Sequence, residues 1–323
     1  MPDDGDIQAA ATLVRTTARA AVAVHEDPDL DALGAAVGLI DLLDLCGEHG
    51  VLRVRPGTEL PRCDWFLDVA TVQHGPPASG ETLFVVDSGS LERTALDLQG
   101  WVGTVVNIDH HPDNERFGDV ALVRPAASSA AEIVCQIAEA LGRVPTPRGA
   151  TALYTGILFD TGHFRHASTG AGALRAAAAM VEAGARPDAV YREVYEDRTL
   201  ADLRLWARAV ANAMPLAGGR AVVSVLTERD IAACGGSDRA TGVVETLRSA
   251  RGVEVAALVR AEPRRSLTKV SLRSVGFDVG ALARSRGGGG HRMAAGFTTD
   301  ESPEEVAAWL STELDACLST ASC

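Results

Sequence analysis

The chain has 323 residues, 46% of them hydrophobic and 23% charged, which excludes a disordered chain and is long enough for two domains. Its formal net charge of −13 excludes a broad basic face of the kind that coats duplex nucleic acid, but not a local pocket for a small phosphorylated ligand. Cys46, Cys63, Cys135, Cys234, Cys317 and Cys323 contain no C-x-x-C pair and read as reduced, mostly buried thiols. The acidic start MPDDGDIQAA is unlike a signal peptide, and no segment approaches the roughly 20 apolar residues that cross a bilayer. A cytoplasmic protein without a membrane partner is expected.

Short apolar runs alternate with helical patterns through the first half, which predicts βαβ units and a mostly parallel sheet flanked by helices. Ala21 to Val24 reads as a strand ending at His25, and a helix follows from about Asp31 with Leu33, Val37, Ile40 and Leu43 on one face. Leu83 to Val86 is a second strand, ending at Asp87, and Thr104 to Ile108 a third, ending at Asp109. Ser128 to Leu141 is helical. Ala150 to Phe159 reads as a helix, with a strand as the alternative, and leads into Asp160. Thr169 to Ala183 is an alanine-rich helix closed by Gly184, and Pro187 opens a helical connector that extends, with a break, to about Met214.

The remainder has the rhythm of a second α/β domain. Ala221–Leu226, Val253–Val259 and Leu267–Leu272 read as strands, and Thr227–Ala233, Thr241–Arg248, Asp278–Arg284 and Pro303–Leu318 as helices. The expected division is residues 1–186, a helical linker over 187–214, and 215–323.

The polar residues at the strand ends are His25, Asp29 and Asp31, then Asp87, then Asp109, His110 and His111, then Asp160. In open α/β sheets that edge is where ligands bind. Carboxylates mixed with imidazoles suit two divalent ions, manganese first, with magnesium, iron or cobalt as alternatives. No cysteine lies in these motifs, so a thiolate zinc site is excluded. Singly, Asp29 or Asp31 is as well explained as a helix cap, His25 as a satisfied buried histidine, and His110-His111 as a surface pair. Their coincidence at successive element ends is what points to a metal centre.

These residues resemble the DHH phosphoesterase family, named for the tripeptide Asp109-His110-His111. HEDPDLDALG (25–34), VVDSGSLER (85–93), NIDHH (107–111) and FDTGHF (159–164) resemble its four motifs in order, with Arg93 at the usual separation from Asp87. SLRS (271–274) and GGGGHRMAAGF (287–297) resemble its C-terminal, DHHA1-type substrate-binding domain. Ala35 stands where many members have Ser, a change that touches no implied ligand.

The resemblance implies one ion on His25, Asp29 and Asp87 and the other on Asp31, Asp87, His110 and Asp160, with Asp87 bridging. It places Asp109 and His111 behind the ligands, with His111 close to the substrate, and Arg93 among the catalytic residues. The glycine run, including Gly288, Gly289 and Gly290, lets backbone N–H groups approach a phosphate, with Arg273 and His291 adding contacts; the bland alternative is a flexible loop. The expected reaction is hydrolysis of a phosphate ester, the ions lowering the pKa of a shared water and His111 protonating the leaving oxygen.

Aromatic residues are only 4% of the chain, too few to track a long single strand, so short substrates are expected. The architecture most resembles the branch that hydrolyses short oligoribonucleotides and removes the 3′-phosphate of adenosine 3′,5′-bisphosphate. A cyclic or linear dinucleotide phosphodiesterase is the alternative, ahead of an inorganic pyrophosphatase and of a nucleotide sensor without turnover. The resemblance also suggests a homodimer.

Overall fold

Apolar runs that end on a polar residue form the strands of the first unit, which spans Met1–Glu196. The computed structural model describes residues 4–68, 71–196, 198–236, 239–240, 242–263 and 265–319. After helix α1 (Asp4–Thr16), strand β1 (Ala20–Ala23) leads through helix α2 (Leu30–Leu45) to β2 (Gly50–Val54) and the two-residue β3 (Gln73–His74). The chain then returns through β4 (Thr82–Val86), β5 (Val105–Asp109) and β6 (Val120–Val123). All pairings are parallel, and the order is β3-β2-β1-β4-β5-β6. The direction of winding therefore reverses between β1 and β4, and the crevice outside their C-terminal ends is the expected ligand position of such a sheet.

Helices α3 (Ala130–Leu141), α4 (Pro147–Asp160), α5 (Ala171–Glu182) and α6 (Pro187–Tyr195) complete the unit. The segment open between helix and strand in the sequence is thus helix α4, begun by Pro147 at its first position and capped by the Thr146 hydroxyl. One face of the sheet, with Val22, Phe84, Val86 and Ile108, joins the large core built with the helices. Ala21, Ala23, Leu83 and Val85 face the other way, against Leu91, Leu96, Leu98, Trp101 and Phe117 of connecting segments.

The second unit, Asp197–Cys323, has its own mixed sheet in the order β11-β12-β10-β9-β8-β7. Its elements are α7 (Leu200–Ala211), β7 (Met214–Leu216), β8 (Ala221–Leu226), α8 (Glu228–Ala233), α9 (Val243–Arg248), β9 (Val255–Glu262), β10 (Leu267–Ser274), α10 (Val279–Arg284), β11 (Gly289–His291), β12 (Ala294–Thr299) and α11 (Pro303–Ser319). Alternation along β9 sorts the two faces. Val255, Ala257 and Val259 pack with α10 and α11, while Ala256 and Leu258 pack with α7, α8 and α9. The expected connector over 187–214 is two helices, of which α6 lies in the first unit and α7 in the second.

Helix α2 carries the first two candidate aspartates, and it is buried at every residue from Leu30 to Leu39. Its depth depends on small residues facing α4. A Cβ on Gly34 would stand 2.4 Å from the Ala152 carbonyl oxygen, a backbone atom that cannot swing aside. Alanine would gain about 1 kcal/mol of helix propensity over glycine. Overpacking against backbone costs about 1–3 kcal/mol and wins. Gly34→Ala is therefore expected to lower the denaturant midpoint at an unchanged m-value, and a variant as stable as the parent would contradict this packing.

Candidate metal centre

Each candidate side chain is delivered by the end of an element. His25 lies just beyond β1, Asp87 directly follows β4, Asp109 is the last residue of β5, and Asp160 the last of α4. Asp29 is the N-cap of α2, its Oδ1 accepting the N–H groups of Asp31 at 2.9 Å and Ala32 at 3.0 Å. The capping reading of this residue and the metal reading are therefore compatible, because the cap fixes the carboxylate where the site needs it. Asp31, fully buried, accepts the first two amides of α3, from Ala130 to Oδ2 at 2.7 Å and from Ala131 to Oδ1 at 3.0 Å. A helix N-terminus thus holds this carboxylate in place.

The structure brings these side chains into three overlapping groups whose donor atoms lie within 4.8 Å of one another: His25, Asp29 and Asp87; Asp31, His110 and Asp160; and Asp87, Asp109, His110 and His111. Asp87 stands at the centre. Its backbone is left-handed, at φ 54°, and its side chain is buried. Its Oδ1 is 3.4 Å from His110 Nε2 and 3.6 Å from His111 Nδ1, and its Oδ2 is 3.9 Å from His25 Nε2. His110 Nε2 is also 3.3 Å from Asp160 Oδ2. Oδ1 of Asp87 is buried without a hydrogen-bond partner. Such an atom needs an explanation, and a cation between the two groups supplies one. The carboxylate and imidazole donors fit divalent ions of intermediate hardness.

Asp109 differs from its neighbours because its bonds are complete. Its Oδ1 accepts the His110 N–H and the His111 Nδ1–H, each at 2.8 Å, and its Oδ2 accepts from Asn114 Nδ2 at 2.6 Å. With the proton on Nδ1, His111 carries its lone pair on Nε2. Asn114 also donates to the Ser88 carbonyl at 3.1 Å, and Asn107 does so at 3.2 Å. Reading the sequence for ligands missed Asn107, Asn114 and the α3 N-terminus. A signal existed for the last, since Ser129-x-x-Glu132 is a capping-box pattern, and Ser129 does cap α3.

Crowding of acids dominates the electrostatics. Burial, then the Asp160 and Asp87 charges, raises Asp31 well above the usual carboxylate range. Burial and Asp87 likewise raise Asp29. Burial, then Asp87 and Asp29, pushes Asp160 up to about 7. Burial alone would lower His110, but the close Asp87 carboxylate, with those of Asp31 and Asp160, pushes it up to about 10. The hydrogen bond to Asp109 raises His111. Asp109 goes the other way: burial is outweighed by its bonds to His111, Asn114 and the His110 amide, and the carboxyl is lowered.

The remaining candidates are placed differently. Arg93 is exposed in a 3-10 turn over Glu92–Thr94, and its carbonyl accepts the Glu26 N–H at 2.7 Å, tying down the segment after β1. In the second unit, Arg273 Nε donates to Glu245 Oε1 at 2.9 Å. The glycine run is an ordered turn and strand, where a flexible loop was the bland expectation. The Gly287 and Gly288 amides donate to the Arg284 and Ala283 carbonyls, and Gly289–His291 form β11. Those first two amides are therefore committed within the chain, which narrows the expected phosphate cradle. A Cβ on Gly288 would fall 2.2 Å from the Gly296 carbonyl oxygen, so close strand pairing already requires glycine there. The backbone of His291 ends β11, and its side chain lies outside the described residues.

The pKa pattern sets the pH response of the metal-free protein. Asp160 rises from 3.8 to about 7 and His110 from 6.5 to about 10, so the folded state holds protons that the unfolded chain releases. The stability these protons contribute is complete at low pH and is lost as pH climbs through the two folded values. In chelator, the melting temperature should therefore fall between about pH 6 and pH 9. Manganese should abolish that fall, because the ions replace the protons. A flat or rising curve for the metal-free protein would remove this electrostatic account.

The DHH family N-terminal domain matches residues 19–157, and the DHHA1 domain matches residues 231–320. The bifunctional oligoribonuclease and PAP phosphatase NrnA of Thermus thermophilus is 34% identical over 282 residues, which cover 86% of this chain and 83% of that protein. The protein of the same name from Bacillus subtilis is 26% identical over 292 residues, covering 88% of this chain and 91% of that one. An exopolyphosphatase-related protein from Bacteroides fragilis shares the fold, with a TM-score of 0.85 at 22% identity over 98% of both chains. Among the described residues, no helix is long and apolar enough to cross a membrane. With the acid-and-histidine cluster at the switch point of a parallel sheet and both domains matched in order, the chain belongs to the DHH family of metal-dependent phosphoesterases.

Proposed function

We propose that this protein is a two-metal hydrolase, with manganese the preferred ion, that degrades short oligoribonucleotides to mononucleotides and removes the 3′-phosphate of adenosine 3′,5′-bisphosphate. The observation that carries the mechanism is the unpartnered, buried Oδ1 of Asp87 between two groups of donors. The substrate class follows from the activities named for the Thermus thermophilus and Bacillus subtilis relatives.

In this reading His25, Asp29 and Asp87 hold one ion, and Asp31, Asp87, His110 and Asp160 the other. Two divalent ions held there lower the pKa of a water molecule and neutralise charge building on the non-bridging oxygens. The chain's own residues supply the rest. The α3 amides fix Asp31, and the α2 cap fixes Asp29, so neither carboxylate has to be ordered when substrate arrives. Asp109, kept ionised by its bonds, holds the His111 ring in one tautomer and favours its protonated form. A protonated His111 beside the centre can give its Nε2 proton to the leaving oxygen. Arg273, Gly289, Gly290 and His291 of the second unit are the proposed substrate contacts, Gly288 being withdrawn because its amide is bonded to Ala283, with Arg273 exchanging Glu245 for a phosphate oxygen.

Purified protein with manganese, given a dinucleotide, a five-nucleotide RNA, adenosine 3′,5′-bisphosphate, a cyclic dinucleotide and pyrophosphate, tests the proposal by its products. Mononucleotides from both RNAs and free phosphate from the bisphosphate are expected. Cleavage of the cyclic compound alone would assign the chain to the dinucleotide phosphodiesterases instead, and no turnover would make it a sensor. Asp87→Ala and His110→Ala should abolish hydrolysis. His111→Gln should retain metal-induced stabilisation and lose about 10²–10⁴ in kcat. The reading extends to a cytoplasmic homodimer, for which a single-chain mass in light scattering would be the contrary result.

A further inference from the structure

The chain has three tyrosines in 323 residues, and all three surround one turn, the one that leaves Asp160. Gly162, His163 and Phe164 occupy the left-handed region in succession, at φ 54°, 62° and 62°. Consecutive left-handed residues are disfavoured for L side chains, and for a bulky phenylalanine above all, so the surroundings must hold them there. They are held by aromatic contacts. The His163 ring meets Tyr195 edge-on, with centroids 3.7 Å apart, and lies 5.3 Å from Tyr191. Phe164 turns the other way, to 6.3 Å from Tyr154.

Tyr191 and Tyr195 are four residues apart on α6 and so share one face, with their rings 5.2 Å apart. Tyr191, the outer ring of the cluster, remains 42% exposed and so offers a face to a ligand. Nε2 of His163 is buried without a hydrogen-bond partner. The turn is anchored to the metal centre through His166 Nδ1, 3.1 Å from the carbonyl of Asp160. Burial pushes the Tyr195 hydroxyl up to about 12, and Arg165, Tyr191 and Asp160 are all close enough to act on it. A half-exposed ring, an unpartnered ring nitrogen and an exposed arginine therefore lie together beside a candidate ligand of the metal.

We propose that Tyr191, backed by Tyr195 and His163, is the stacking platform for one nucleobase of the substrate, with Arg165 taking the phosphate next to it. Any base offers a π face, so the platform recognises nucleotides without selecting a sequence. The site then requires a nucleoside beside the scissile phosphate, which separates its substrates from pyrophosphate and simple phosphate esters. The inference rests on the phosphoesterase reading above.

The test compares an intact RNA dinucleotide with two versions that each lack one base, using the manganese-loaded full chain. Tyr191→Ala should raise KM for the intact dinucleotide about 5- to 100-fold, with the loss in KM rather than kcat. Tyr191→Phe should restore KM. On the version lacking the stacked base, Tyr191→Ala should bring no further loss, while the version lacking the other base should suffer the full loss. Equal effects on all three substrates, or no effect on any, would overturn the platform. If the unaltered protein hydrolyses no substrate, it is the phosphoesterase reading that fails. The platform is then judged by binding of a methylphosphonate dinucleotide, where the same pattern in Kd is expected and its absence is contrary.

Discussion

Four carboxylates packed within a few ångströms of one another repel, and the first unit is arranged around that repulsion. Burial, which withholds the water that would screen the charges, and then the neighbouring carboxylates raise the proton affinity of Asp29, Asp31 and Asp160. The protein tolerates the crowding by fixing backbone groups on the acids it can reach, two amides of α2 on Asp29 and two of α3 on Asp31. Asp87, at the middle, receives none on its buried Oδ1. The charge that this atom lacks is the charge that divalent ions bring, which couples the local instability of the site to its chemistry.

Bringing the acids together makes demands on packing as well. The two ends of the centre come from different helices, α2 for Asp29 and Asp31 and α4 for Asp160, and those helices must approach closely for their carboxylates to meet. Glycine on α2 facing backbone on α4 permits that approach. Parallel pairing does the corresponding work in the sheet. Because β1, β4 and β5 all run the same way, their polar C-terminal residues emerge along one edge. The left-handed backbone at Asp87 and in the turn after Asp160 is strain placed at the same edge, where the fold over-determines it.

Much of this is legible in the sequence because a buried parallel strand is a continuous apolar run, and the residue that ends it is conspicuous. TLFVV before Asp87 and VVNI before Asp109 need no further context. Elements without that contrast do not announce themselves. Strand β2 is mostly half-buried, β3 is two residues long, β11 is Gly-Gly-His and β12 opens on Ala-Ala-Gly, so none announces itself as an apolar run. The same limit applies to the site. His25 and Asp160 stand out by residue type, but the importance of Asn114 lies in which carbonyl and which carboxylate its amide reaches, a tertiary fact with no local signature. Composition misleads in a related way, since an average of few aromatics conceals three tyrosines gathered at one turn.

Asp87 and Asp109 show most clearly what geometry adds to residue type. Both stand at the C-terminal end of a strand of the same sheet, both are buried, and spacing alone offers them equally as ligands. Asp109 has both oxygens occupied by hydrogen bonds, which lower its carboxyl below the ordinary value, so its charge serves to orient His111. Asp87 keeps an oxygen with no donor, facing two histidines at distances too long for a hydrogen bond. One carboxylate is complete without an ion and the other is not. For this pair, positioning and holding are separated by which groups the fold brings within reach of each oxygen.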